Sequence, residues 1–167
     1  FISTGMASLA EVKKAVSALG KIRNLYIMHC ISEYPTGPLL IKRGLKALSA
    51  EDVRLNMMKT LMRLFPQYKV GYSDHTSGII APIAAVAAGA KVIEKHITLD
   101  RSIPIRNFNK GKNYLGTDHI LSLEPDELKD MVVDIREVEK MFGGKSWQRS
   151  EGERILKDFL RGRFRKR

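Results

Sequence analysis

The run Lys69-Val70-Gly71-Tyr72-Ser73-Asp74-His75-Thr76-Ser77-Gly78-Ile79-Ile80-Ala81-Pro82-Ile83-Ala84-Ala85-Val86-Ala87-Ala88-Gly89-Ala90-Lys91-Val92-Ile93-Glu94-Lys95-His96 decides the architecture. Its first five residues are a short β-type stretch, and Lys91-Val92-Ile93-Glu94-Lys95 is another. Between them, small and apolar residues predict a closely packed helix over residues 78–88. A strand, a helix and a second strand in so short a span is the unit that joins parallel neighbours in a sheet. Each strand also ends on a histidine, His75 and His96, 21 residues apart.

The same alternation extends towards the N-terminus. Phe1-Ile2-Ser3-Thr4 reads as a strand ending at Gly5, and Leu9, Val12, Val16 and Leu19 recur at helical spacing before Gly20. Leu25-Tyr26-Ile27-Met28-His29 is the next strand, followed by a long loop over residues 32–50. Ser49 and Asp52 supply a cap and an acidic first turn for a helix whose stripe is Leu55, Met58, Leu61, Met62 and Phe65, ended by Pro66. Beyond His96, residues 100–123 read as a second polar loop. A helix over 125–141 then opens on Pro125 with Glu124, Asp126 and Glu127 around its first turn, and stops at Gly143-Gly144. A weaker helix is expected over 150–160. Four β/α units imply an α/β fold with parallel strands, either a doubly wound sheet or a barrel. A closed barrel needs eight units and roughly 250 residues, so as barrel material this is about half.

Composition narrows the class. The 167 residues are 44% hydrophobic and 28% charged, an ordinary globular balance. The longest apolar stretch, residues 78–90, contains Pro82 and falls short of the about 20 residues a membrane span requires. No signal peptide is expected. A single cysteine, Cys30, rules out an intramolecular disulfide and points to a reducing, cytoplasmic compartment, where it reads as a small buried hydrophobe. The net charge of +11 is uneven: from Arg154 onwards seven Lys and Arg stand against Asp158 alone. That cluster could bind phosphate-rich partners, and a non-enzymatic phosphate- or nucleic-acid-binding module is the alternative function. A solvated tail explains the same charge, so a nucleic-acid partner is not expected, and neither is a membrane.

Three of the four histidines, His29, His75 and His96, fall at strand ends, where parallel α/β folds carry their sites. The spacing of His75 and His96 places them on adjacent strand ends, within reach of one borderline divalent ion such as Zn²⁺ or Mn²⁺. Ser3, Thr4, Ser32, Ser73 and Thr76 recur at the same ends, where hydroxyls and backbone N–H groups can hold an anion.

Ser3-Thr4-Gly5-Met6, His29-Cys30-Ile31-Ser32-Glu33-Tyr34-Pro35, Gly71-Tyr72-Ser73-Asp74-His75-Thr76, Glu94-Lys95-His96, Gly116-Thr117-Asp118-His119 and Ser122-Leu123-Glu124-Pro125 occur in one order. Together they resemble the sialic acid synthase family, the N-acetylneuraminate synthases and their relatives for other nonulosonic acids, over residues 1 to about 142. The resemblance implies the C-terminal half of a TIM (β/α)₈ barrel over residues 1–145, with a basic helix or tail over 146–167. It implies condensation of phosphoenolpyruvate with an N-acetylated amino sugar, N-acetylmannosamine or its 6-phosphate among the candidates, releasing phosphate and giving a nine-carbon 2-keto acid. His75 and His96 match the family's metal ligands, with Mn²⁺ expected and Mg²⁺ or Co²⁺ as substitutes. Ser3, Ser32 and Ser73 match positions that hold phosphoenolpyruvate. Tyr34 and Asp118 match the amino-sugar side, and Glu94, with Asp118, belongs to the catalytic set. Other phosphoenolpyruvate-dependent barrel aldolases share the fold but not this set of motifs.

The sequence departs from the family in four places. Residues 38–55 and 102–115 are longer than usual, Thr117 stands where a proline is customary, and the partner elements are not in this sequence. Those elements are the first half of the barrel, with further phosphate-binding lysines and a catalytic glutamate, and a small antifreeze-like domain. A half-barrel of this kind is expected to be inactive alone and to self-associate, as a homodimer or with the missing half, because its sheet edges and apolar face are open.

Overall fold

The computed structural model describes residues 1–34, 48–106, 113–114, 116–144 and 148–162. Residues 38–47 of the first long insertion, most of 107–115 in the second, and residues 163–167 of the basic tail lie outside the described residues. Four parallel strands form the sheet: β1 (Ile2–Ser3), β2 (Tyr26–Cys30), β3 (Lys69–Asp74) and β4 (Ile93–Lys95), hydrogen-bonded in the order β1-β2-β3-β4. Strand order therefore follows chain order without a reversal. A doubly wound sheet reverses its order and carries helices on both faces. Here the helices α1 (Leu9–Ala18), α2 (Asn56–Leu64) and α3 (Ile80–Ala87) all pack on one face. Val12, Val16, Met58, Leu61 and Ala85 meet Ile27, Val70 and Tyr72 in a single core. One-sided winding is the arc of a barrel wall.

Local chemistry accounts for the element ends. Ser8 caps α1 in a reciprocal box with Glu11: the Glu11 carboxylate accepts from the Ser8 backbone at 2.8 Å, and Ser8 Oγ accepts from the Glu11 N–H at 3.3 Å. Ser49 and Asp52 do pair, with Oγ donating to the carboxylate at 2.7 Å, but they close a 3₁₀ turn over Ala50–Val53 rather than starting α2. Arg54 then takes a left-handed conformation (φ 50°), which stops that turn and lets α2 begin afresh at Asn56. β4 begins at Ile93, two residues later than the sequence suggested. Lys91 N–H and Val92 C=O nevertheless hydrogen-bond β3, at 2.8 and 2.9 Å.

The second long loop is not featureless. It holds a two-stranded antiparallel ribbon, β5 (Ile105–Arg106) with β6 (Asn113–Tyr114), and a short helix α4 (Thr117–Leu121). One of the two edges expected to be open is partly taken as well. Leu123 bridges Ile97 in parallel, donating to His96 C=O and accepting from Thr98 N–H at 2.9 Å each. Leu123 also starts a second core with Met131 and Ile135 of α5 (Pro125–Met141), packed on Ile83 and Val86 of α3. The last helix, α6 (Glu151–Gly162), leaves Ile155 and Leu156 exposed. No described helix is long and apolar enough to cross a membrane.

Gly71 is required for close approach. A Cβ there would stand 2.5 Å from Met28 Sδ and 2.9 Å from the Val92 carbonyl oxygen. Gly71→Ala is expected to lower stability by about 1–3 kcal/mol in urea unfolding, the usual cost of overpacking. Adding Met28→Ala should restore only part of that, because the carbonyl cannot yield.

Candidate active site

The parallel register sorts the strand-end residues onto two faces. Ser3 pairs with Met28, Met28 with Gly71, Cys30 with Ser73, and Ser73 with Glu94. Because side chains alternate along a strand, these residues share one face, and His75 and His96 continue it just past the strand ends. Ile27, His29, Val70, Tyr72, Asp74, Ile93 and Lys95 take the other face, against the helices. His29 is thereby separated from the other two histidines. It is buried, its Nε2 lies 2.8 Å from the Val53 carbonyl oxygen, and its ring leans on Tyr72. His119 is likewise structural, with Nε2 2.8 Å from the Ile103 carbonyl oxygen.

On the site face the rings of His75 and His96 lie 5.3 Å apart between centroids. Tyr34 meets His75 edge-on at 5.0 Å, and His96 Nε2 is 3.9 Å from Asp118 Oδ1. α4 carries Asp118 to that point, and Ser122 Oγ holds the helix by donating to the Asp118 carbonyl at 2.7 Å. The preceding segment is clamped by Arg101, whose guanidinium forks onto Glu127 at 2.6 and 2.9 Å and donates to the Ser122 carbonyl at 2.9 Å. Ser73 Oγ donates to Glu94 Oε1 at 2.7 Å. Ser32 sits against the Gly5 backbone: a Cβ on Gly5 would come within 2.1 Å of Ser32 Oγ. Ser3 Oγ accepts from the Gly5 N–H at 3.3 Å.

Cys30 is buried as the sequence suggested, yet it is more than a hydrophobe. Its Sγ lies 3.6 Å from His75 Nδ1 and 3.6 Å from Ser32 Oγ. Burial pushes the thiol up, but hydrogen bonds from His75, Ser32 and Ser3, with the charge of His75, outweigh it and bring the thiol down to about 7. The same contact with Cys30 raises His75 above the ordinary imidazole range against the opposing effect of burial. Burial and the neighbouring Asp118 carboxylate hold the Tyr34 hydroxyl above the usual phenol value. With Nδ1 turned to Cys30, His75 has Nε2 left for another partner. Two facing imidazoles suit a borderline cation, and among the described residues no three His, Cys, Asp or Glu groups converge on one point. A cation held there would keep most of its coordination positions for water or reactants.

Ser32, Tyr34, Ser73, His75, Glu94, His96 and Asp118 thus gather along one rim, with Ser3 joined through Cys30 and Gly5. The contact of Cys30 with His75 was missed in the sequence. Its one available signal is that residues two apart, Cys30 and Ser32, share a strand face.

A family model described as NeuB matches residues 1–146. The chain belongs to the NeuB family. An uncharacterized protein of Methanocaldococcus jannaschii is 46% identical over 144 residues, 85% of this chain and 36% of that one. The N,N'-diacetyllegionaminic acid synthase of Legionella pneumophila is 37% identical over 166 residues, 96% of this chain and 40% of that one. Among solved structures, the N-acetylneuraminic acid synthetase of Leptospira borgpetersenii in complex with citrate superposes with a TM-score of 0.69 at 31% identity. It is matched by 99% of this chain over 50% of its own length. This NeuB chain therefore spans between about a third and a half of the relatives it matches, and its fold is part of their barrel.

The buried His29 gives this NeuB chain a pH signature. Burial lowers its affinity for a proton below the ordinary value near 6.5. A lowered folded value contributes stability that is present above 6.5 and is lost as pH falls through the folded value. His75, raised in the fold, acts with the opposite sign. Comparing the chain with His29→Gln isolates the first effect: the urea midpoint should fall less between pH 7.5 and pH 5 in the variant. Equal falls would show that His29 is not buried in its neutral form.

Proposed function

We propose that this chain forms the metal-holding half of a nonulosonic acid synthase active site, which condenses phosphoenolpyruvate with an N-acetylated amino sugar and releases phosphate. The observation that carries the reading is the convergence of His75 and His96, with Asp118 3.9 Å from one imidazole and Tyr34 packed on the other. The names of two relatives, a legionaminic acid synthase and a neuraminic acid synthetase, support this reading.

In this reading His75 and His96 hold a divalent cation, Mn²⁺ foremost, with Mg²⁺ or Co²⁺ able to replace it. When bound, such an ion supplies Lewis acidity for the sugar aldehyde and orients water. The chain's own groups do the rest. Ser3, Ser32 and Ser73 offer hydroxyl donors to the carboxylate and phosphate of phosphoenolpyruvate. The Ser73 donor must leave Glu94 to do so, which frees the Glu94 carboxylate beside the reactants. Asp118, as a carboxylate next to His96, accepts hydrogen bonds from sugar hydroxyls or takes a proton. Tyr34 keeps its proton because of burial and Asp118, so its hydroxyl remains available as a donor.

The catalytic set is completed from outside this sequence, so the 167 residues alone should turn over little or nothing. Self-association as a homodimer, or docking to the other barrel half, would cover the open edge at β1 and exposed residues such as Phe1 and Ile97. A cytoplasmic setting accords with the free thiol of Cys30.

Titration with Mn²⁺, followed by the loss of the free-ion electron paramagnetic resonance signal, tests the site directly. His75→Ala and His96→Ala should each weaken binding by more than the roughly 10–100-fold that loss of an outer partner costs. Unchanged affinity in both variants would remove the metal reading. In sedimentation velocity the chain should run as a dimer or larger, and a monodisperse monomer would contradict the assembly.

A further inference from the structure

Each candidate ligand is preceded by a charged residue that never sees water. Asp74 stands before His75 and Lys95 before His96, and the side chains are 0% and 2% exposed. The two residues are Cα partners across β3 and β4, and Lys95 Nζ lies 2.6 Å from Asp74 Oδ2. The carboxylate is fully used. Oδ1 accepts from Tyr72 OH at 2.7 Å and from the Thr76 N–H at 3.0 Å, while Oδ2 accepts from Thr76 Oγ1 at 3.0 Å as well as from Lys95. Lys95 Nζ also donates to the Thr76 carbonyl.

These bonds bracket His75. Tyr72 and Thr76 lie on either side of it, and all are tied through one ammonium to the residue before His96. β4 has three residues, Asp74–Lys95 is its last rung, and His96 leaves immediately after it. Backbone bonds from Lys91 and Val92 hold the start of this strand, and the Asp74–Lys95 rung adds a buried side-chain tie at its end. Neither charge can take part in the reaction, because both point to the helix face while His75 and His96 point to the site face. Nor does net stability explain them, since a buried ion pair commonly contributes no more than an apolar pair of the same shape. We infer that Asp74 and Lys95 are positioning residues: their buried pair sets the separation and aim of His75 and His96 so that both imidazoles reach one cation. This rests on the metal reading above and adds to it the groups that make the pair of ligands competent.

The test is the Mn²⁺ titration of the chain carrying Asp74→Leu with Lys95→Met, which removes both charges without leaving either one buried and unpaired. With folding verified by circular dichroism and a cooperative urea transition, the Kd should rise about 10–100-fold, the range for loss of outer-shell support. A folded double variant with the parent's Kd would overturn the inference while leaving the metal site standing. Tyr72→Phe removes one bond to Asp74 and leaves the ion pair intact, so it decides if the double variant does not fold. A rise below about tenfold supports the inference and an unchanged Kd overturns it. A parent chain that takes up no Mn²⁺ would bring down the metal reading and this inference with it.

Discussion

Asp74 and Lys95 occupy the same level of two adjacent parallel strands, and the helix layer seals them from solvent. Such a pair is unforgiving: taking away one partner strands a charge in the interior and typically costs about 3–5 kcal/mol. The register of β3 against β4 is therefore fixed at its C-terminal end, which is the end where the chemistry gathers. A slip of one residue between β3 and β4 would turn the faces of one strand relative to the other, leaving one of the two histidines on the site side and the other against the helices. What the sheet contributes to function is thus a choice of face.

That choice organises the whole rim. Small residues let the inner face close up, with Gly71 beside Met28 and Gly5 beside Ser32. The Cys30 thiol then comes within bonding distance of both His75 and the Ser32 hydroxyl. The segment after β4 adds Asp118 from a different direction, held by the Arg101 fork onto α5 and by the Ser122 hydroxyl. The site is assembled from four strand ends and one short helix. Apart from His29 and the Asp74–Lys95 pair, the opposite layer is apolar packing, mostly of Val, Leu, Ile and Met.

Much of this was legible in the sequence because it is periodic. The alternation of strands and helices is written in apolar spacing, and α5 was read to the residue because Pro125 and Gly143-Gly144 punctuate it. The convergence of His75 and His96 followed from one helix and one strand separating them. Features that depend on packing were not legible. Nothing local tells that His29 faces the helices while His75 faces the site, since that depends on pleat and register together. Nothing in the local sequence marks Asp74 and Lys95 as buried, because charged residues in a strand usually face solvent. α4 has five residues and no apolar stripe, so its segment read as loop. Ser49 and Asp52 have the spacing of a cap, but spacing does not reveal that a left-handed Arg54 ends the turn at once.

The central claim is geometric: two imidazoles from neighbouring strands address one cation. Anomalous diffraction from crystals of the chain grown with Mn²⁺ measures this most directly. The account predicts one anomalous peak bonded to a nitrogen of His75 and a nitrogen of His96, with Asp74 and Lys95 still paired behind them. A peak elsewhere, or rings that diverge with no shared ion, would contradict it.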